Sequence, residues 1–191
     1  NLHTALLNLS GEAGDLAKAR EQLAEAHRRI SALLREMPSG SDSQVGKIGL
    51  LKALQQMLAR EFGADFTEIS WQIDPEAARR AGEIPALSGE VIFYATKEII
   101  RNAARHGRSE AVEPLSLQIS LVWDIGLELR IADNGVGLPA GSASGGQGLA
   151  LHGTLLAVIG GALALADQPG GQGTVALISL PASLWESWQK P

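Results

Sequence analysis

The spacing of apolar residues divides the chain into a helical arm and a mixed α/β region. Residues 15–37 are rich in Ala, Leu, Glu, Arg and Lys and contain neither Gly nor Pro, which predicts an unbroken helix. Leu16, Leu23, Ile30 and Met37 recur at intervals of seven, and Ala19, Ala26 and Leu33 follow the first three by three positions. So narrow an apolar seam suits a helical hairpin or bundle better than the flank of a globular core. Pro38 and Gly40 end this helix, and the polar run SGSDSQ over residues 39–44 reads as a linker. Upstream, residues 2–9 read as the end of a partner arm, turned at Ser10-Gly11-Glu12. At ~3.6 residues per turn, about two turns there oppose more than six. The reading therefore expects most of the first arm to lie before Asn1.

After the linker, an amphipathic helix is expected over residues 45–62, a strand over 66–73 and a long helix over 88–106 capped by Ser88. Residues 115–123 and 125–132 alternate as two strands of a hairpin joined at Asp124. A Gly/Ser/Ala loop (139–146), a helix (149–159) and two closing strands (162–166 and 174–180) around the turn QPGGQG complete the pattern. Three helices with about five mostly antiparallel strands imply an α/β (α+β) two-layer sandwich. The expected organisation is a hairpin fragment (1–38), a linker (39–44), an α/β domain (45–184) and a tail (185–191).

Composition narrows the function. Of 191 residues, 45% are hydrophobic and 19% charged, ordinary for a globular protein, and aromatics at 4% leave the core to aliphatic residues and alanine. A formal charge of −5 argues against nucleic acid as a partner. The absence of cysteine excludes disulfides, thiolate catalysis and cysteine-ligated zinc, and is compatible with a reducing cytoplasm. No apolar run approaches the ~18 residues of a membrane span, so a membrane connection is expected only through a region upstream of this sequence.

Three short motifs could carry chemistry. In KEIIRNAARHG (residues 97–107), Glu98 and Asn102 share one helix face, with Arg105 and His106 a turn further on and Ile99, Ile100 and Ala103 expected on the opposite face. Such a stripe can hold Mg²⁺ and phosphate oxygens; the alternative is a solvated face with an i,i+4 pair. In IADNGVGLP (131–139), a strand ends in Asp133-Asn134-Gly135, which by itself reads as a hairpin turn. Gly137 and a following Gly-rich loop and helix favour instead a carboxylate aimed into a pocket, able to accept a hydrogen bond from an exocyclic amine. In GGQGLALHG (145–153), Gly146 and Gly148 lead into a helix whose backbone amides can face phosphate, although flexible loops share the pattern. GGQGT, ending at Thr174, reads as a hairpin turn.

The order of these motifs resembles the N box, two glycine boxes and closing strand of the GHKL ATPases. The fuller resemblance is to sensor histidine kinases of the nitrate-sensor and desaturase-sensor type, and it covers nearly the whole chain. It implies ATP and Mg²⁺ as cofactors. Asn102 would coordinate the Mg²⁺ bridging the phosphates, with Arg105 and His106 near those phosphates and Glu98 as the N-box acid. Asp133 would receive the adenine amino group, with a water shared by Thr174. Gly135 and Gly137 would let the backbone approach the base and start a short lid. Gly146 and Gly148 would form its far side, and Leu149 would open the helix beneath the phosphates. Homodimerisation through the heptad helix, a response regulator as partner and a cytoplasmic location follow from the same resemblance.

The chain departs from the family where methionine and arginines commonly follow the Gly-Leu: here stand His152, Gly153 and Leu155. His152 reads as a surface or packing residue. His3 lacks the adjoining acid of a phosphoacceptor, which places the acceptor histidine upstream and implies a fragment that binds nucleotide without phosphorylating itself. The Pro38 linker would let the ATP domain swing against the hairpin. Two alternatives remain: an anti-sigma-factor-type serine kinase, and a degenerate scaffold of the same fold that binds no nucleotide.

Overall fold

A computed structural model describes residues 43–108, 114–138, 146–169 and 172–188. The heptad helix, the arm bearing His3, most of the linker and the loop at 139–145 lie outside the described residues. Ser43 caps the first described helix, α1 (Gln44–Ile48), by accepting a hydrogen bond from the Gly46 N–H. A single helix over 45–62 does not form. Gly49 adopts φ 80°, a conformation open to glycine, and divides α1 from α2 (Leu50–Met57). A wider π turn, Leu58–Phe62, ends that segment.

Strand β1 (Glu68–Ile73) leads into α3 (Pro75–Ala81), a helix not anticipated from the pattern. Asp74 accepts from the Ala77 N–H and Pro75 opens the first turn, so both ordinary start signals are present. The long helix α4 (Ala86–His106) starts two residues before the expected Ser88. Pro85 occupies the capping position, and Ser88 is buried within the helix instead of capping it. Strands β2 (Ser116–Trp123) and β3 (Gly126–Asp133) form the expected hairpin. Helix α5 runs Gly146–Val158, a turn earlier than expected, followed by β4 (Ala162–Asp167) and β5 (Thr174–Pro181). Residues assigned to a tail contribute instead to α6 (Ser183–Trp188). Its Trp185 is buried, donates Nε1–H to the Arg80 carbonyl at 3.0 Å and meets Trp123 edge-on at 4.8 Å.

The five strands lie in the order β1-β2-β3-β5-β4, with β1 parallel to β2 and every other pair antiparallel. Side chains at alternate positions share a face. Cross-strand partners Ile119 and Ile131, Leu121 and Leu129, and Leu129 and Ile178 are all buried on one such face. Helix α4 supplies the opposing layer through Ile92, Ala95, Thr96, Ile99, Ile100 and Ala103, spaced by three and four. The result is the expected two-layer α/β sandwich. Among the described residues no helix is long and apolar enough to cross a membrane.

Candidate functional site

Strand alternation places the central acid. Leu127, Leu129 and Ile131 face the helical layer, and the next residue in that period is Asp133, the last of β3. A carboxylate thus stands where a core aliphatic would continue the pattern, only 7% exposed. Its Oδ1 accepts from the Gly135 N–H at 2.9 Å and the Thr174 N–H at 3.2 Å. Burial pushes its pKa above the ordinary carboxylate value, and the backbone donors pull it only part of the way back.

Asp133 borders a cavity of about 400 Å³ between α4, the sheet and the start of α5. Polar groups on its wall are Asn102, His106, Asp133 and Thr174. Ile99, Ala103, Ile131, Leu138, Leu149, Leu165 and Ala176 supply the apolar surface. A largely apolar slot with a few convergent polar groups suits a flat heteroaromatic ligand with a polar edge.

The motif on α4 divides differently from the expectation. Ile99, Asn102, Ala103 and His106 form one stripe at i, i+3, i+4 and i+7, and all four line the cavity. Ile99 and Ala103 therefore lie beside Asn102, not opposite it; only Ile100 turns away, fully buried. Glu98 and Arg105 are not on the wall. Arg105 is exposed, and Glu98 pairs with Arg101 at 2.7 Å. Glu98 also meets α5: a Cβ added at Gly148 would stand 2.7 Å from its Oε1.

The glycines have separate reasons to be there. A Cβ at Gly135 would come within 2.6 Å of the Gly107 Cα, so the chain crosses the end of α4 at backbone distance. The adjoining Val136 N–H donates to the Gly107 carbonyl at 3.2 Å. Gly137 has φ 82° and lies on the cavity wall. Gly146 opens α5, Gly148 lies in its first turn against Glu98, and Leu149 is buried inside the helix as part of the wall. His152, one turn on, is buried, and among the described residues its Nδ1 has no hydrogen-bond partner. Burial depresses its pKa, although the Glu98 charge acts in the opposite direction.

The sequence motifs thus include Asn102, His106, Asp133, Gly137, Leu149 and Thr174 from one wall. Sequence reasoning missed the apolar contributors Leu138, Leu165 and Ala176, which read simply as parts of strands and loops. It also missed Asp167 and Gln168, which reach back to the loop after β3. Asp167 Oδ1 accepts from the Leu138 N–H at 2.8 Å, and Gln168 Nε2 donates to the Asp133 carbonyl at 2.7 Å.

No protein family's sequence profile matches the chain, and no curated protein matches it. Solved structures do. The histidine kinase domain of the blue-light activated histidine kinase of Erythrobacter litoralis aligns over 88% of this chain and 97% of its own, with TM-score 0.53 and 18% identity. A longer form of that kinase aligns over 87% of this chain and 61% of its own, with TM-score 0.53 and 20% identity. At these identities the likeness is one of fold: the two-layer α/β arrangement described above is shared with that kinase domain.

Proposed function

We propose that the chain is the ATP-binding catalytic region of a two-component sensor histidine kinase of the nitrate-sensor and desaturase-sensor type. Its reaction would be transfer of the ATP γ-phosphoryl group to a histidine upstream of this sequence, for relay to a response regulator. The observation that carries the proposal is that one cavity is bordered by both a buried carboxylate, Asp133, and a carboxamide, Asn102.

Among the described residues, both hydrogen bonds to the Asp133 carboxylate fall on Oδ1, which would leave Oδ2 to accept from the exocyclic amine of adenine. Ile131, Leu149 and Ala176 would sandwich the base and exclude water from that bond. Thr174, whose N–H already holds Asp133, would help orient the same edge of the base. Asn102 and His106, further along the α4 stripe, would face the phosphates, with Arg105 beside them in solvent.

Among the described residues, no three His, Cys, Asp or Glu side chains come together as a metal site. Magnesium commonly takes one or two protein oxygens and completes its shell with phosphate and water. The Asn102 amide oxygen would be the protein ligand, and the ion when bound would neutralise charge on the phosphates. Gly146 and Gly148 would bring the amides of the α5 N-terminus toward them. Glu98, held by Arg101 and set against α5, is assigned as the N-box acid. Catalysis would be positioning and electrostatics, with the nucleophile supplied by the acceptor histidine. Homodimerisation through residues 16–37 and a cytoplasmic location belong to the same proposal.

Titration calorimetry tests it. Binding of ATP at micromolar order, tighter with Mg²⁺ than without, is the expected outcome. Absence of binding under both conditions would favour a scaffold of this fold that holds no nucleotide.

A further inference from the structure

The cavity wall is fastened from a part of the chain that the motifs do not include. Gly137 and Leu138 border the cavity, and neither belongs to a helix or strand. Local hydrogen bonding within the loop does not account for their position, because the Leu138 N–H is taken by Asp167 Oδ1 at 2.8 Å, across 29 residues of sequence. Asp167 is the last residue of β4, paired in register with Thr174. The carboxylate therefore sits on the rigid sheet while its acceptor oxygen holds the loop. Gly137 is matched to it: a Cβ there would lie 3.0 Å from the same Oδ1, at a backbone φ of 82°. The neighbouring Gln168 repeats the tie on the other side, its Nε2 donating to the Asp133 carbonyl at 2.7 Å while its N–H bonds the Gly173 carbonyl at 2.9 Å.

We infer that Asp167 is a positioning residue for the nucleotide site, holding the Gly137–Leu138 wall in its binding geometry through the Leu138 N–H. The inference rests on the nucleotide reading above and adds to it a side chain that touches no ligand. A loop free to sample other conformations binds more weakly by the fraction of time it is out of place, so a fixed wall raises affinity without making a ligand contact. The bond is exposed, so it contributes to the site's geometry and little to global stability. Asn at this position keeps an acceptor oxygen of the same reach; Leu has the same size and no acceptor.

Wild type, Asp167→Asn and Asp167→Leu separate the possibilities. Three readouts are needed: Leu138 amide hydrogen exchange without nucleotide, the thermal midpoint, and ATP affinity by calorimetry. Asp167→Leu is expected to speed Leu138 exchange and weaken ATP about tenfold, the order of one charge-assisted hydrogen bond. Its thermal midpoint should stay near that of wild type. Asp167→Asn should restore protection and bring affinity within about threefold of wild type. Unchanged Leu138 exchange in Asp167→Leu overturns the inference, as does Asp167→Asn binding as weakly as Asp167→Leu. If wild type binds ATP and Asp167→Leu binds it equally well, this inference alone fails. If wild type binds no ATP, the nucleotide reading fails and takes this one with it.

Discussion

Gly173 lies so close to Asp133 that a Cβ added to it would stand 1.9 Å from the Asp133 carbonyl oxygen. The contact is between two backbones, so no side-chain rotation relieves it. Gly173 also holds φ 92°, a conformation costly for any other residue. The β4–β5 turn is thus pressed against the end of β3, which is why the Thr174 N–H reaches the Asp133 carboxylate.

Gly173→Ala should therefore disturb the site and the fold together. Strain and clash are expected to cost at least about 2 kcal/mol, lowering the thermal midpoint by roughly 4–8 °C for a domain of this size. ATP affinity should fall as Asp133 is displaced. Calorimetric melting and nucleotide titration of the same preparation check both parts; a variant that melts and binds like wild type would show that the turn is not packed in this way.

Asp133 makes stability depend on pH in the sense opposite to a salt-bridged carboxylate. Its folded pKa is raised by burial above the ordinary 3.8. Between those two pKa values the folded state holds more protons than the unfolded state, so stability falls as pH rises through that window. Above it the full cost of a buried charge persists. Asp133→Asn keeps an acceptor for the two N–H groups and removes the charge. Its stability should exceed that of wild type at pH 7, with the difference shrinking toward pH 4. Denaturant unfolding of both proteins across that range measures the difference directly; a gap that widens on acidification would contradict the burial of this charge.

His152 makes the reverse prediction. Its pKa is depressed by burial below the ordinary 6.5, so below that pH the unfolded state takes up a proton that the folded state resists. Wild-type stability should decline as pH drops below 6.5. His152→Leu removes both the titration and the unpartnered Nδ1, and should add about 1 kcal/mol while flattening this part of the profile. Chemical denaturation at pH 7.5, 6.5 and 5.5, roughly spanning the histidine range, tests it. A profile as steep in the variant as in wild type would assign the acid sensitivity to another group.

Much of the sandwich was legible because β2 and β3 alternate over most of their length, and the same alternation carries Asp133 to the buried face. The helix α3 was legible in principle from Asp74 and Pro75, but its seven residues are too short for periodicity to mark. Ser88 was misread as a cap because Ser is favoured there, whereas Pro85 already provides a pre-set φ. Trp185 looked like part of a tail, since its partners Arg80 and Trp123 are far away in sequence. In the site, the α4 stripe and the two glycines after Asp133 announce themselves through residue type. Leu138, Leu165 and Ala176 do not, because an aliphatic on a cavity wall is indistinguishable by sequence from one in the core. The tie from Asp167 to Leu138 depends on sheet register bringing the end of β4 beside the loop after β3, and no local pattern encodes it.

If one cavity binds a purine at its Asp133 end and phosphates at its Asn102 end, changes at the two ends will affect ATP and adenosine differently. Titrating ATP and adenosine into wild type, Asp133→Asn and Asn102→Ala tests that polarity. Asp133→Asn should weaken both ligands about a hundredfold, the order of a buried charge-assisted hydrogen bond replaced by two facing donors. Asn102→Ala should weaken Mg-ATP while leaving adenosine unchanged. Adenosine binding to Asp133→Asn as tightly as to wild type would rule out a purine seat at Asp133.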